Sequence, residues 1–274
     1  MNLEQYLKRK PHDALSEAFK QSYLATDGQL RRQNILRSGT TSVTCVVRKE
    51  LNSNKRMLFT ANVGDSRAIL VRNNDAIRLT IDHKASLPEE AKRIQDAGGF
   101  IGRNKRVNGV LAISRALGDH MLKENTAVVS AEPYCVDTEL TDADSYVILA
   151  CDGVWDVMTD QYAVTFVLEQ INKLQPQLDE YLQNNPDTNN NNTNNNSTVA
   201  MSSHDKIESD VVMSYADNES LNNEQTNNNI NNKSDEITKP KNWNDLLYLV
   251  CKALVQEALD KRSLDNVTVL IVKL

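Results

Sequence analysis

Short stretches rich in Val, Ile, Leu and Thr, each bounded by turn residues, recur along this chain and predict strands. They cover 41–48 (TSVTCVVR), 56–63 (RMLFTANV), 68–72 (AILVR), 76–79, 145–151 (SYVILAC) and 267–273 (VTVLIVK). Gly64-Asp65-Ser66 joins the second to the third and Asn73-Asn74-Asp75 the third to the fourth, as short hairpin turns do. Strands joined that tightly are expected to pair antiparallel. A longer apolar period predicts helices over 11–25, 87–97, 160–174 and 242–261. Pro88, Glu89 and Glu90 open the second of these and Gly98-Gly99 closes it. In the last, Trp243, Leu246, Leu247, Val250, Leu254, Ala258 and Leu259 form one stripe, with Lys261 and Arg262 at its C-terminal end. Strands interrupted by helices without strict βαβ alternation predict an α+β fold, antiparallel sheets covered by helices.

One shift of composition breaks this pattern. From 184 to 241 the chain reads NNPDTNNNNTNNNSTVAMSSHDKIESD and then, further on, NNEQTNNNINNKSDEITKPK. Such a segment has too few aliphatic clusters to offset its own ordering entropy, so it is expected to be a disordered insert. The remaining chain suits one domain spanning 1–274, split by that long loop.

Composition removes several functions. With 274 residues and a formal net charge of −6, the chain would not attract nucleic acid or an anionic membrane surface. No apolar run approaches the length of a bilayer span. The opening MNLEQYLKRKPHD lacks the apolar core of a secretory signal. Cys45, Cys135, Cys151 and Cys251 are far apart and form no C-x-x-C pair. A reduced, intracellular chain without structural zinc is expected, cytoplasmic and also nuclear.

The acids stand out by position. Asp152 ends an apolar strand in Cys151-Asp-Gly-Val-Trp-Asp156, Asp265 precedes the C-terminal strand, and Asp82 follows the strand-like IRLTI. Carboxylates at strand ends are held rigidly at a sheet rim, as a hard divalent cation requires. Asp caps turns in the same positions, so each one alone also reads as architecture. Other phosphate chemistries fail directly. A cysteine phosphatase needs Arg six residues after its thiolate, and those positions hold Leu51, Thr141, Val157 and Glu257. Asp142-Ala-Asp144-Ser-Tyr146 lacks the last residue of an aspartyl-phosphate motif and precedes its strand. Neither a P-loop nor an H-E-x-x-H zinc site is present. His83, beside Asp82, reads as a structural hydrogen-bonding residue.

Ser38-Gly-Thr-Thr41, Ala61-Asn-Val-Gly-Asp-Ser-Arg67, Asp82-His-Lys84, Arg106 to Asp119 (RVNGVLAISRALGD), Leu149-Ala-Cys-Asp-Gly-Val-Trp-Asp-Val157 and Asp265-Asn-Val-Thr268 stand in a familiar order. On these motifs the chain resembles the PP2C (PPM) metal-dependent protein serine/threonine phosphatases, above all the small fungal members, over 13–175 and 242–274. The resemblance implies a β-sandwich of two antiparallel sheets flanked by helices. It implies two Mg²⁺ or Mn²⁺ ions, with a third more weakly held, and a metal-activated water that attacks phosphorus in line. By position Asp152 matches the acid that binds the metal pair and Asp265 the second-metal ligand. Asp82 and Asp156 match outer acids that share a third ion with Asp152. No catalytic residue beyond these ligands is implied. Residues 85–108 match the flap beside the site. Gly39, Asp65, Arg67, Gly118 and Asp119 read as turn and core architecture. Phosphorylated proteins are the implied partners, protein kinases among them, acted on by a monomer.

The departures are as informative. The family's N-terminal Arg, Glu-Asp pair and Asp-Gly-His-Gly segment have no counterpart here, and Asp27-Gly28-Gln29 lies after the first helix instead of before it. The expectation is therefore an N-terminally truncated sandwich with an impaired site. A catalytically inactive phosphoprotein-binding or regulatory protein is the alternative, and a scaffold using the Asn-rich insert is a third. All four acids, Asp152, Asp265, Asp82 and Asp156, are expected on one rim.

Overall fold

A strand that is apolar on both faces needs cover on both sides, and the central strands here are of that kind. A computed structural model describes residues 15–49, 55–124, 126–186, 198–202 and 237–274. Its elements are α1 (Leu15–Arg32), β1 (Gly39–Thr40), β2 (Ser42–Lys49), β3 (Arg56–Val63), β4 (Arg67–Arg72), β5 (Asp75–Arg78) and α2 (Pro88–Asp96). They continue with β6 (Leu117–Gly118), β7 (Tyr134–Leu140), β8 (Asp144–Ala150), the single turn α3 (Asp152–Trp155) and α4 (Asp160–Asn184). The last are β9 (Thr198–Ser202), α5 (Trp243–Asp260) and β10 (Thr268–Lys273). Two antiparallel sheets, ordered β2-β3-β7 and β5-β4-β8-β10-β9, face each other.

Between the sheets lies one apolar layer: Leu58, Leu70, Val147 and Leu149, with Val43, Val47, Leu270 and Val272 packed against them. The outer face of the larger sheet presents Ile69, Val71, Ile148 and Ile271 to α4 and α5, which bury Val164, Val167, Leu247 and Leu254. On the outer face of the smaller sheet, Phe59, Ala61 and Val63 meet Leu15, Phe19 and Tyr23 of α1. The result is helix, sheet, sheet, helix. The central strands alternate their side chains between two apolar layers, so the α+β sandwich expected from sequence is the observed fold.

Several local expectations change. Gly64-Asp65-Ser66 is not a hairpin turn. β3 is already paired on both edges, by β2 and β7, so the chain turns out of one sheet and β4 joins the other. Gly64 sits at φ 84°, with the Thr41 methyl 2.3 Å from where a Cβ would stand. Asn73-Asn74 is the expected hairpin turn, both residues at positive φ, and β4 pairs with β5 directly across it. α4 passes Pro176 and reaches Asn184, because Leu178 beyond the proline is buried. Within the Asn-rich segment, β9 pairs with β10 along its length, where the expectation was disorder throughout. The rest of that segment, 187–197 and 203–236, and the start of the first helix lie outside the described residues. No helix among the described residues is long and apolar enough to cross a membrane.

Candidate functional site

β8 delivers Asp152 at the end of a buried strand, and a one-turn helix begins there. Trp155 pins the turn, its indole N–H donating to the Ala150 carbonyl at 2.8 Å. The loop that leads into β10 closes over the same turn. The Cys151 amide donates to the Thr268 carbonyl at 3.2 Å. The Cys151 thiol donates to the Asn266 carbonyl at 3.1 Å, and the Ser263 hydroxyl to the Gly153 carbonyl at 2.6 Å. These bonds bring Asp265 to the rim that holds Asp152.

A second wall comes from the crossing between the sheets. Asp65 is buried there, and the Lys84 ammonium approaches its carboxylate at 2.5 Å. The same ammonium is 3.9 Å from Asp156 at the end of α3. His83 fixes this wall: its amide and its Nδ1–H both donate to the Gly64 carbonyl, at 2.9 and 3.0 Å. The structural reading of His83 therefore holds.

Electrostatics show which acids meet. Burial pushes the Asp152 carboxyl up, and the charges of Asp65, Asp265 and Asp156 push it further, while Lys84 pulls it back. Burial pulls the Lys84 ammonium down. The Asp65 hydrogen bond and the charges of Asp65, Asp156 and Asp152 outweigh that and leave it above its ordinary value. So Asp152, Asp156 and Asp265 share one neighbourhood with Asp65 and Lys84.

Asp82 is oriented differently. Both its oxygens accept from Arg67, Oδ1 from Nε at 3.2 Å and Oδ2 from Nη2 at 2.5 Å. Arg67 also donates to Asp160 at the start of α4, and Arg78 grips Asp160 at 2.7 and 3.0 Å. The Arg67 guanidinium lies 5.0 Å from the Trp155 ring centroid. Asp82 thus belongs to a guanidinium–carboxylate lattice beside the rim.

From sequence Asp65 reads as turn architecture and Lys84 carries no role, although both belong to motifs of the resemblance, Ala61–Arg67 and Asp82–Lys84. Their pairing spans two chain segments and had no local signal. Gly39, Gly118 and Asp119 are architectural. A Cβ on Gly39 would meet the Asp119 carboxylate at 2.0 Å, and one on Gly118, at φ 82°, the Ser38 carbonyl at 2.3 Å. Asp27 accepts from the Gly118 amide at 2.7 Å and from Lys123 at 2.6 Å, tying α1 to this crossing. The flap is anchored through Glu90, which accepts from Ser114, Arg93 and Arg115. Burial works to raise Glu90, but Arg115, Ser114 and Arg93 bring it down to about 2.

Among the described residues no three His, Cys, Asp or Glu side chains enclose a position for an ion. In kind, the donors fit a hard divalent cation: carboxylate oxygens whose mutual repulsion one ammonium does not relieve.

The family model described as protein phosphatase 2C matches residues 2–207. Protein phosphatase 2C homolog 1 of Saccharomyces cerevisiae is 39% identical over 185 residues, covering 63% of this chain and 64% of that protein. Protein phosphatase 2C homolog 1 of Schizosaccharomyces pombe is 48% identical over 130 residues, covering 47% and 36%. The chain therefore spans less than two thirds of the length of these relatives. Among solved structures, a C. elegans sex determining protein superposes with a TM-score of 0.63 at 22% identity, over 99% of this chain and 50% of that one. A serine-threonine phosphatase 2C from Toxoplasma gondii does so at 0.56 and 19%, over 100% and 71%. These two show the shared fold. Asp265 and β10 lie beyond the residues that the family model matches, and β10 is carried to this end of the sheet by its pairing with β8. With the family model covering well over half of its length, the chain belongs to the protein phosphatase 2C family.

Proposed function

We propose that this chain carries the acidic side of a metal-dependent site that hydrolyses phosphoserine and phosphothreonine in proteins, protein kinases among its substrates. The observation that supports the reading is that Asp152 has Asp65, Asp156 and Asp265 as charged neighbours: burial pushes its carboxyl up first, and their charges push it further. Asp152 and Asp265 would hold a pair of Mg²⁺ or Mn²⁺ ions, and Asp156 with Asp152 an outer one. Such ions supply Lewis acidity and a water of lowered pKa.

The protein's own part is placement. The close approach of Gly153 to the Asn266 carbonyl packs the loop before β10 against the turn that begins at Asp152, and the Trp155 hydrogen bond keeps that turn rigid. Both oxygens of Asp82 accept from Arg67, so an outer ion would share this carboxylate with the guanidinium.

The test measures Mn²⁺ binding by electron paramagnetic resonance and phosphate release from a phosphothreonine peptide. Asp152→Asn and Asp265→Asn should each lower Mn²⁺ affinity and reduce release by about a hundredfold or more, the scale of several kcal/mol. Release that survives metal chelation, or binding that both variants leave unchanged, would refute the reading.

A further inference from the structure

Lys84 is the one cation placed among the rim's acids in the described structure, and its backbone gives it no freedom to be elsewhere. Its amide donates to the Asp82 carbonyl at 2.8 Å, and Leu87 donates to its carbonyl at 3.0 Å. An antiparallel bridge joins it to Ile113 at the base of the flap. The preceding His83 is bonded twice to Gly64, in the very turn that carries Asp65. The root of the side chain is therefore tied to the residue its ammonium serves. Asp65 needs such a partner, since its side chain is only 6% exposed and a buried carboxylate without one is costly. The Lys84 side chain is 38% exposed. Its flexible stem can carry the ammonium into solvent, while Asp65 stays at the rim.

We propose that Lys84 is a tethered counter-cation: it holds the acidic rim together in the absence of metal and competes with a divalent cation for Asp65 and Asp156. The proposal rests on the reading that these acids bind metal. An ammonium attached a few ångströms from its carboxylates acts at high effective concentration. A divalent ion entering the rim meets its repulsion and must take over Asp65 to displace it. Lys84 then sets the metal concentration at which the site fills, and Asp65 becomes available as a further oxygen ligand once the ammonium leaves.

The experiment compares the full chain with Lys84→Met, Lys84→Gln and Lys84→Arg, using Mn²⁺ alone as the probe. Two quantities are read: the metal-free melting temperature and the Mn²⁺ dissociation constant from electron paramagnetic resonance. Lys84→Met and Lys84→Gln should melt lower without metal yet bind Mn²⁺ about tenfold more tightly, the scale of one charge beside a divalent ion. Lys84→Arg, which keeps the charge, should stay near wild type in both. If either neutral variant folds and binds Mn²⁺ no more tightly than wild type, Lys84 is only a structural partner of Asp65 and the competition is overturned. If neither wild type nor the neutral variants bind Mn²⁺, the metal reading fails first and the competition with it. The metal-free melts separate these two failures from loss of fold.

Discussion

A Cβ on Gly153 would stand 2.2 Å from the carbonyl oxygen of Asn266, so the residue after Asp152 must lack a side chain for the loop before β10 to close on the turn after β8. The contact joins parts of the chain that no local pattern connects, the turn that begins at Asp152 and the loop that carries Asp265. Gly153→Ala should cost about 1–3 kcal/mol, the usual penalty for overpacking against backbone, and should weaken Mn²⁺ binding. Gly28 provides the contrast. It lies inside α1, with its nearest neighbour, Arg32, at 3.5 Å, so Gly28→Ala should stabilise by about 0.5–1 kcal/mol. Urea denaturation of both variants checks the pair. Equal effects would remove the steric account.

Arg67 is held by two acids and an indole face. Arg67→Met should cost about 3 kcal/mol, because Asp82 and Asp160 would keep their charges in a partly buried place with their shared partner gone. Arg67→Lys should recover less than half of that, since a single ammonium cannot satisfy both oxygens of Asp82 and reach Asp160 as well. Chemical denaturation gives both numbers. A loss under about 1 kcal/mol for Arg67→Met would reclassify the lattice as a surface network.

Acid should destabilise the protein in two stages. Burial, with Arg115 adding to it, lowers His83 to about 4. The unfolded chain takes up that proton near pH 6.5, as an ordinary histidine does. Between those values the unfolded state binds more protons, so stability falls as pH is lowered. Glu90, brought down to about 2 from an ordinary 4.5, contributes stability that is full above pH 4.5 and is lost as pH falls toward 2. Asp152, pushed up, acts in the opposite sense, so the useful reading is a difference. Melting temperatures of wild type and His83→Gln should converge as pH drops from 6.5 to 4. Parallel curves over that range would show that His83 does not titrate there.

Deleting 203–236 and bridging the gap with a short linker should leave stability within about 1 kcal/mol, since loop length enters closure entropy logarithmically. Extending the deletion through 198–202 should cost more and promote aggregation. It strips β9 from β10 and leaves the backbone edge of β10 unpaired. Calorimetry and light scattering on the two deletions decide this, and identical behaviour would mean that β9 contributes nothing.

Local chemistry determined much of this protein. β4 and β8 are legible because their side chains are apolar on both faces, and the Asn73-Asn74 turn because Asn tolerates the φ values of 52° and 67° it adopts there. α2 is legible from its opening Pro88 and closing glycines. Asp152, Asp156 and Asp265 are legible as candidates only through the motifs that hold them, because an acid beside a strand end taken alone caps turns as readily. Tertiary structure alone decided which sheet each strand joined. Gly64-Asp65-Ser66 looks like a hairpin turn in any short window, and only the occupation of both β3 edges turns it into a crossing. β7 escaped notice because Asp137 and Glu139 face solvent, so its burial depends on the partner it finds. The same holds at the rim. Asp82 reads from sequence like the other acids, yet both its oxygens accept from Arg67, a partner that no local pattern supplies. Lys84 stands beside Asp65 in a fold where the adjacent residues, His83 and Gly64, are also bonded to each other. An amino-acid pattern specifies how a segment can fold and what its side chains can bond, because backbone dihedrals and hydropathy act over a few residues. Which charge meets which is settled by packing between distant segments, where a carboxylate takes whichever partner the fold brings within reach.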